Sequence, residues 1–228
     1  MGYPGVELVG LSMPAEEARD ILAQHGVKAV SAHVPIQAMR EDFDKVVRFH
    51  QIIGNAHLIV PAPPQELREA NSADAWVSLA KELAEFGHRA LDAGMRVGYH
   101  NHWWEMTEFD GKRAVDWMMD TADAEHLFLE PDLAWVTKGG ADAKAILEQY
   151  AGRCPRVHVK DLAPEGQNED EMGLADVGYG TLNWDALLPT ARAAGAEWYV
   201  VEHDKPKDAV VSVRRSLEFL RSKSELLG

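Results

Sequence analysis

The chain has 228 residues and one cysteine, Cys154, so no internal disulfide can form. Cys154 stands beside Pro155, just before a strand pattern, where a free cysteine acts as a small apolar core group. Basic residues are scarce, with 23 Lys and Arg against 37 Asp and Glu and a net charge of −14. Such a field repels a phosphate backbone and argues against nucleic acid, though not against a small anion. No apolar run approaches the roughly 18 residues that a membrane span needs. The opening Met1-Gly2-Tyr3-Pro4-Gly5 has neither a basic region nor a signal-type apolar stretch. A soluble, cytoplasmic chain with no membrane partner is expected. G-x-G-x-x-G and P-loop motifs are missing too, which excludes the common nucleotide cradles. No Gly/Ser linker or charge block divides the sequence. Its length suits one large domain or two small ones, and a single domain, 1–228, is the simpler expectation.

What is present is alternation. Apolar strand patterns occupy residues 6–9, 27–34, 57–61, 96–100, 127–131, 157–160 and 197–203. Helical patterns lie between them. One opens at Ser12-Met13-Pro14 and closes at Gly26. Another begins at Glu41 or Asp42 and ends near Gly54. A third runs from the N-cap Ser72 to Ala93. Later helices are predicted over 113–123, 141–150, 184–194 and 208–226, with Asn183 as a cap. Strand then helix, repeated seven times, implies a parallel sheet with right-handed crossovers.

Four of these strands end in polar residues suited to chemistry. Arg156-Val157-His158-Val159 runs into Lys160-Asp161. Tyr99-His100 runs into Asn101-His102. Leu127-Phe128-Leu129 runs into Glu130-Pro131-Asp132, and Tyr199-Val200-Val201 into Glu202-His203-Asp204. Polar ends on several strands fit a (β/α)8 TIM-type barrel better than an open doubly wound sheet. Seven strand signals make the barrel short of its first strand and helix. Edges at 6–9 and 197–203 then call for a gap or for cover by another chain, which leaves a homo-oligomer possible.

His158, Asp132 and Glu202 are the leading metal-ligand candidates, since imidazole and carboxylate suit Mn, Co, Zn or Mg. The plainer reading makes His158 and Asp132 caps or loop residues. Their recurrence on separate strand ends favours the site. Glu130 shares a face with Asp132 and is a candidate substrate group or support for a ligand. His100 and His102 share a face if the strand continues, and Glu105 can bend back to a metal. Trp103 and Trp104 either wall a sugar ring or fill space under a loop. Lys160 binds a substrate oxyanion or pairs with Asp161. His33 and Trp135 either line the pocket or pack. Gly178-Tyr179-Gly180 is a turn that lets a ligand approach closely.

With these blocks the chain resembles the sugar phosphate isomerase/epimerase family, the xylose isomerase-like TIM barrels that include endonuclease IV. The matching stretches are Gly2-Tyr3-Pro4-Gly5-Val6-Glu7-Leu8, Tyr99-His100-Asn101-His102 with Glu105, Asp132 with Trp135 and Gly140, His158-Val159-Lys160-Asp161, Gly178-Tyr179-Gly180 with Trp184, and Val201-Glu202-His203-Asp204. The resemblance covers nearly the whole chain and is specific to the superfamily, not to a substrate. It implies a divalent metal ion (Mn2+, Co2+, Mg2+ or Zn2+) held by Glu, Asp, His and Glu from four successive strands. Asp132, His158 and Glu202 match the last three. His100 stands at the first position, with Glu105 five residues on, so either supplies that ligand, and Glu105 is preferred.

The implied activity is isomerisation or epimerisation of a small carbohydrate through a metal-stabilised enediolate. Glu202 or Glu105 would remove the proton, while Lys160, His100 and His102 orient hydroxyls or return it. The alternative is a lyase or dehydratase acting on a keto-sugar, keto-glycoside or keto-inositol, with His100 or His102 as base. A non-catalytic sugar-binding protein is the third possibility. Endonuclease activity ranks last, for want of a basic stripe.

Overall fold

Leu58-Ile59-Val60 has no exposed surface, and it forms the middle strand of a parallel sheet. Removing each such side chain from water contributes roughly 1.5–3 kcal/mol, which is why an uninterrupted apolar run becomes a central strand. The structure, a computed structural model, describes residues 1–10, 13–70 and 72–227. The chain divides into two compact units, Gly2–Leu129 and Glu130–Gly228 with Met1.

In the N-terminal unit, β1 (Gly5–Val9), β2 (Lys28–His33), β3 (His57–Val60), β4 (Arg96–His100) and β5 (Phe128–Glu130) lie in that order, the first four parallel. Between them run α1 (Ala15–His25), α2 (Ile36–Ile52), α3 (Gln65–Ala70), α4 (Ala73–Asp92) and α5 (Ala114–Thr121). Helix α4 shows why: Trp76, Leu79, Ala80, Leu83, Phe86 and Ala90 recur at helical spacing and are all buried. Gly98 sits in β4 because a Cβ there would lie 2.3 Å from the Phe128 ring.

In the C-terminal unit, β6 (Arg156–Val159) pairs in parallel with β7 (Trp198–Val201), and Val200 stands opposite His158. Asp132 bridges to His158 in the same parallel sense. The helices are α6 (Leu133–Lys138), α7 (Ala143–Gln149), α8 (Trp184–Ala193), α9 (Ala209–Ser222) and α10 (Ser224–Leu227). Buried Cys154 donates its thiol to the Tyr150 carbonyl, 3.4 Å away, and is a core group as expected.

Among the described residues, seven main strands match the seven strand patterns. Four two-residue strands were not foreseen; they form antiparallel pairs of Glu108–Phe109 with Lys112–Arg113 and of Asp161–Leu162 with Leu174–Ala175. The second helix is in part as expected. A helical piece, residues 36–41, precedes it after Pro35 and was not foreseen, and the chain breaks at Asp42, with φ −159° and ψ 84°. There the Asp42 carboxylate accepts from the Lys45 N–H at 2.9 Å, so it opens the stretch that follows, as its N-cap signal implied. Ser72 occupies the N-cap of α4, yet its side chain makes no capping bond. Asn183 does cap α8, through Ala186 N–H. The expected opening of α1 at Ser12 falls outside the described residues.

Candidate functional site

Strand β7 ends at Val201, so Glu202, His203 and Asp204 follow directly in irregular chain. Strand β6 ends at Val159, one residue past His158, and delivers Lys160. Asp132 caps α6, its Oδ1 accepting the Trp135 N–H at 2.9 Å. The capping reading of Asp132 thus holds, and it turns Oδ2 toward the cluster.

That cluster is tight. His158 Nδ1 lies 3.0 Å from Glu202 Oε2 and 3.8 Å from Asp132 Oδ2, while Nε2 lies 3.4 Å from Glu130 Oε2. Asp132, His158 and Glu202 each offer one ligand atom within 4.8 Å of the others. The Lys160 ammonium is 2.9 Å from Asp132, 2.7 Å from Glu202 and 2.8 Å from Asp204. Asp132, His158, Glu130 and Lys160 are buried, whereas the Glu202 side chain is 33% exposed.

Electrostatics follow from that burial. Desolvation pushes the Asp132 carboxyl above its ordinary range, against the pull of Lys160 and His158. Burial also pushes Lys160 down, but Asp132, Glu202 and Asp204 outweigh it and raise it above the ordinary lysine value. The ammonium sits 4.7 Å from the Trp135 ring centroid, and Trp135 is fully buried. Trp135 is therefore the floor beneath Lys160.

Lys160 does not pair with Asp161, as its plainer reading had it. Successive side chains of an extended segment point oppositely. Asp161 accepts instead from the backbone N–H groups of Leu162, Gly178, Gly180 and Leu182, and from Trp184 Nε1 at 2.7 Å. Sequence reasoning passed over this role and that of Asp204. The alternation Lys160-Asp161, together with the Gly-Tyr-Gly turn, was the available signal.

The N-terminal unit carries a second polar group. His33 Nε2 lies 3.0 Å from Glu7 Oε1, and its ring centroid is 4.9 Å from that of His100. His100 and His33 each offer a nitrogen within 4.8 Å of the other. Strand β4 ends at His100, and the His102 ring stands perpendicular to it at 5.1 Å. His102 stacks on Trp104 at 4.3 Å, and the Arg68 guanidinium lies 4.9 Å from the centroid of the Trp104 ring. Trp104 thus packs under the loop, and Trp103 is 39% exposed beside it. Glu105 accepts the Tyr99 hydroxyl at 2.5 Å and the His102 N–H at 2.8 Å, one on each carboxylate oxygen. Burial pushes its carboxyl up to about 7 despite those two bonds. Glu7 and Tyr99 were not foreseen as members of this group.

Parallel strands ending in buried carboxylates and histidines define a TIM-barrel protein of the kind that works at its strand ends. The chain belongs to the xylose isomerase-like TIM barrel family, whose profile matches residues 1–223. It is 30% identical over 96 residues to an inosose dehydratase of Clostridium perfringens, covering 42% of this chain and 32% of the relative. With an inosose dehydratase of Lacticaseibacillus casei it shares 26% over 145 residues, 58% of this chain and 48% of the relative. The matched stretch is under half the length of either relative. A sugar phosphate isomerase/epimerase of Parabacteroides distasonis superposes with a TM-score of 0.81 at 19% identity, over 96% of this chain and 83% of that one. The IOLI protein, solved with a bound zinc atom, superposes with a TM-score of 0.70 at 14% identity, over 99% and 88%. At such identities these two show the fold alone. No helix among the described residues is long and apolar enough to cross a membrane.

Proposed function

We propose that the chain is a divalent-metal-dependent enzyme that removes a proton beside the carbonyl of a polyhydroxylated substrate, and that the resulting enolate expels a β-hydroxyl group, which leaves as water with the proton that the base hands back. The observation that carries this reading is the convergence of Asp132, His158 and Glu202 within 4.8 Å. Two carboxylates and an imidazole fit Zn2+, Mn2+, Co2+ or Mg2+, and the backbone bond to Asp132 Oδ1 orients that carboxylate in advance. A cation bound there would polarise a carbonyl and make the neighbouring C–H acidic.

The chain's own groups then divide the work. Glu202 is the partly exposed carboxylate of the trio, which makes it the base that takes the carbon-bound proton. Lys160 holds a fixed positive charge 2.7 Å from Glu202, where negative charge grows on the substrate. Trp135 beneath it excludes water. The dehydratase names of the two curated relatives favour elimination over the isomerisation that the motifs alone placed first. Proton return to another carbon is the second reading, which the same base and fixed charge would serve.

Elemental analysis of the purified protein, with a panel of ketoses, keto-inositols and keto-glycosides in D2O, tests both readings. Loss of one water by mass identifies the dehydratase. Carbon-bound deuterium in a product that has lost no water identifies the isomerase. His158→Ala and Glu202→Gln should abolish either activity with an unchanged circular dichroism spectrum. A metal-free, exchange-inactive protein, or near-normal turnover in Glu202→Gln, would overturn the proposal.

A further inference from the structure

The Gly178-Tyr179-Gly180 turn has no part in the metal cluster, yet a single buried carboxylate holds it from several sides. Asp161 fastens it with bonds from Gly178, Gly180, Leu182 and Trp184 at 2.7–3.2 Å. Both glycines are required by their surroundings. A Cβ on Gly178 would fall 2.2 Å from the Phe219 ring, and one on Gly180 2.2 Å from Asp161 Oδ1. The result is a rigid platform for Tyr179, whose side chain is left half exposed at 51%. Arg215 covers the ring at 3.9 Å from its centroid. Beside it opens a cavity of about 300 Å³, lined also by Asp176, His203, Lys207 and Ser212. That volume is at the lower end of small-molecule sites, roughly 300–1,000 Å³, and suits one sugar ring. His203 on its wall directly follows the proposed base, Glu202, in the chain.

The charges decide the ligand class. Arg215 is already paired with Asp176 at 2.9 Å, and Lys207 with Asp170 at 3.2 Å and Glu171 at 3.3 Å. A phosphate would have to displace carboxylates from both cations and meet the uncovered acids. Hydroxyl groups can instead bridge an existing Asp–Arg pair, donating to one partner and accepting from the other. The apolar face of a sugar ring packs on an aromatic ring held still in advance.

We infer that this cavity is a subsite for a neutral, unphosphorylated sugar ring, a second ring of the substrate beyond the one at Glu202. The two-ring substrate rests on the proposed enzyme reading; binding in the cavity does not. Isothermal titration of the purified chain with cellobiose, maltose and sucrose, and with glucose 6-phosphate, tests it, each run with and without EDTA. At least one neutral disaccharide should bind in both conditions. Tyr179→Ala should weaken it roughly five- to tenfold, the scale of one ring contact. Arg215→Gln should weaken it as well, while thermal melts show both variants folded. Binding that survives EDTA keeps the subsite even if the metal reading fails. The inference is overturned if no neutral disaccharide shows binding sensitive to these variants, or if glucose 6-phosphate is the ligand that Arg215→Gln loses.

Discussion

Replacing Lys160 by Met keeps an unbranched stem of similar length and removes only the charge. Three carboxylates lose their shared partner, but they do not lose equally. Glu202 and Asp204 are 33% and 27% exposed and regain water, whereas Asp132 has no exposed surface. Stripping one partner from a buried pair costs about 3–5 kcal/mol. With one of three carboxylates stranded, the lower end, about 3 kcal/mol, is expected. For a chain of this size that lowers Tm by roughly 6–12 °C at pH 7. The loss should shrink in acid. Burial already raises Asp132, and without Lys160 it rises further. A carboxyl raised on folding gives stability that is complete below its ordinary value and is lost as pH climbs through the folded value. The gap between variant and parent should therefore narrow from pH 7 to pH 5. Differential scanning calorimetry at several pH values on metal-stripped protein measures this. A Tm change under about 2 °C, or a gap independent of pH, would refute the picture of Lys160 as the counter-charge of a buried Asp132.

Glu105, raised by burial to about 7 from 4.5, should cost about 3 kcal/mol of stability as pH climbs between those values. Glu105→Gln should flatten that part of the stability–pH curve, and denaturant melts at pH 4.5 and 7 will show whether it does. Gly87→Ala places a Cβ 1.8 Å from the His126 carbonyl oxygen, a clash with backbone that cannot swing away. Its cost should reach or exceed about 1–3 kcal/mol, read as a lowered urea midpoint. Burial pushes the Cys154 thiol up to about 12, so it should stay unmodified by iodoacetamide in the native protein and react fully in urea. Rapid native labelling would show that this residue is not the core group described.

Much of the fold was legible because the main strands are short apolar runs that end abruptly in polar residues. Val157 to Lys160 and Tyr199 to Glu202 state their own C-terminal boundaries. Helices α3 and α6 were not legible, each being six residues long. Leu133-Ala134-Trp135-Val136 is buried on every side and so shows no helical period. Within the site, residue types at strand ends pointed to Asp132, His158 and Glu202 as a group. Partners set by tertiary placement were hidden. Asp204 reaches Lys160 from 44 residues along the chain, and Tyr99 turns back to Glu105 beneath a loop. Glu7 was passed over because nothing local marks a carboxylate in an apolar strand as the mate of His33.

Lys160 and Asp161 are consecutive, and between them they separate two tasks. One side chain reaches into the charged cluster, and the other moors the turn that carries Tyr179. The moorings use backbone N–H groups and the Trp184 ring, so none depends on the side chain at 179. That position can be exchanged without loosening its support or disturbing the cluster. A chain built this way can change what it grips while the groups proposed to perform the reaction stay in place.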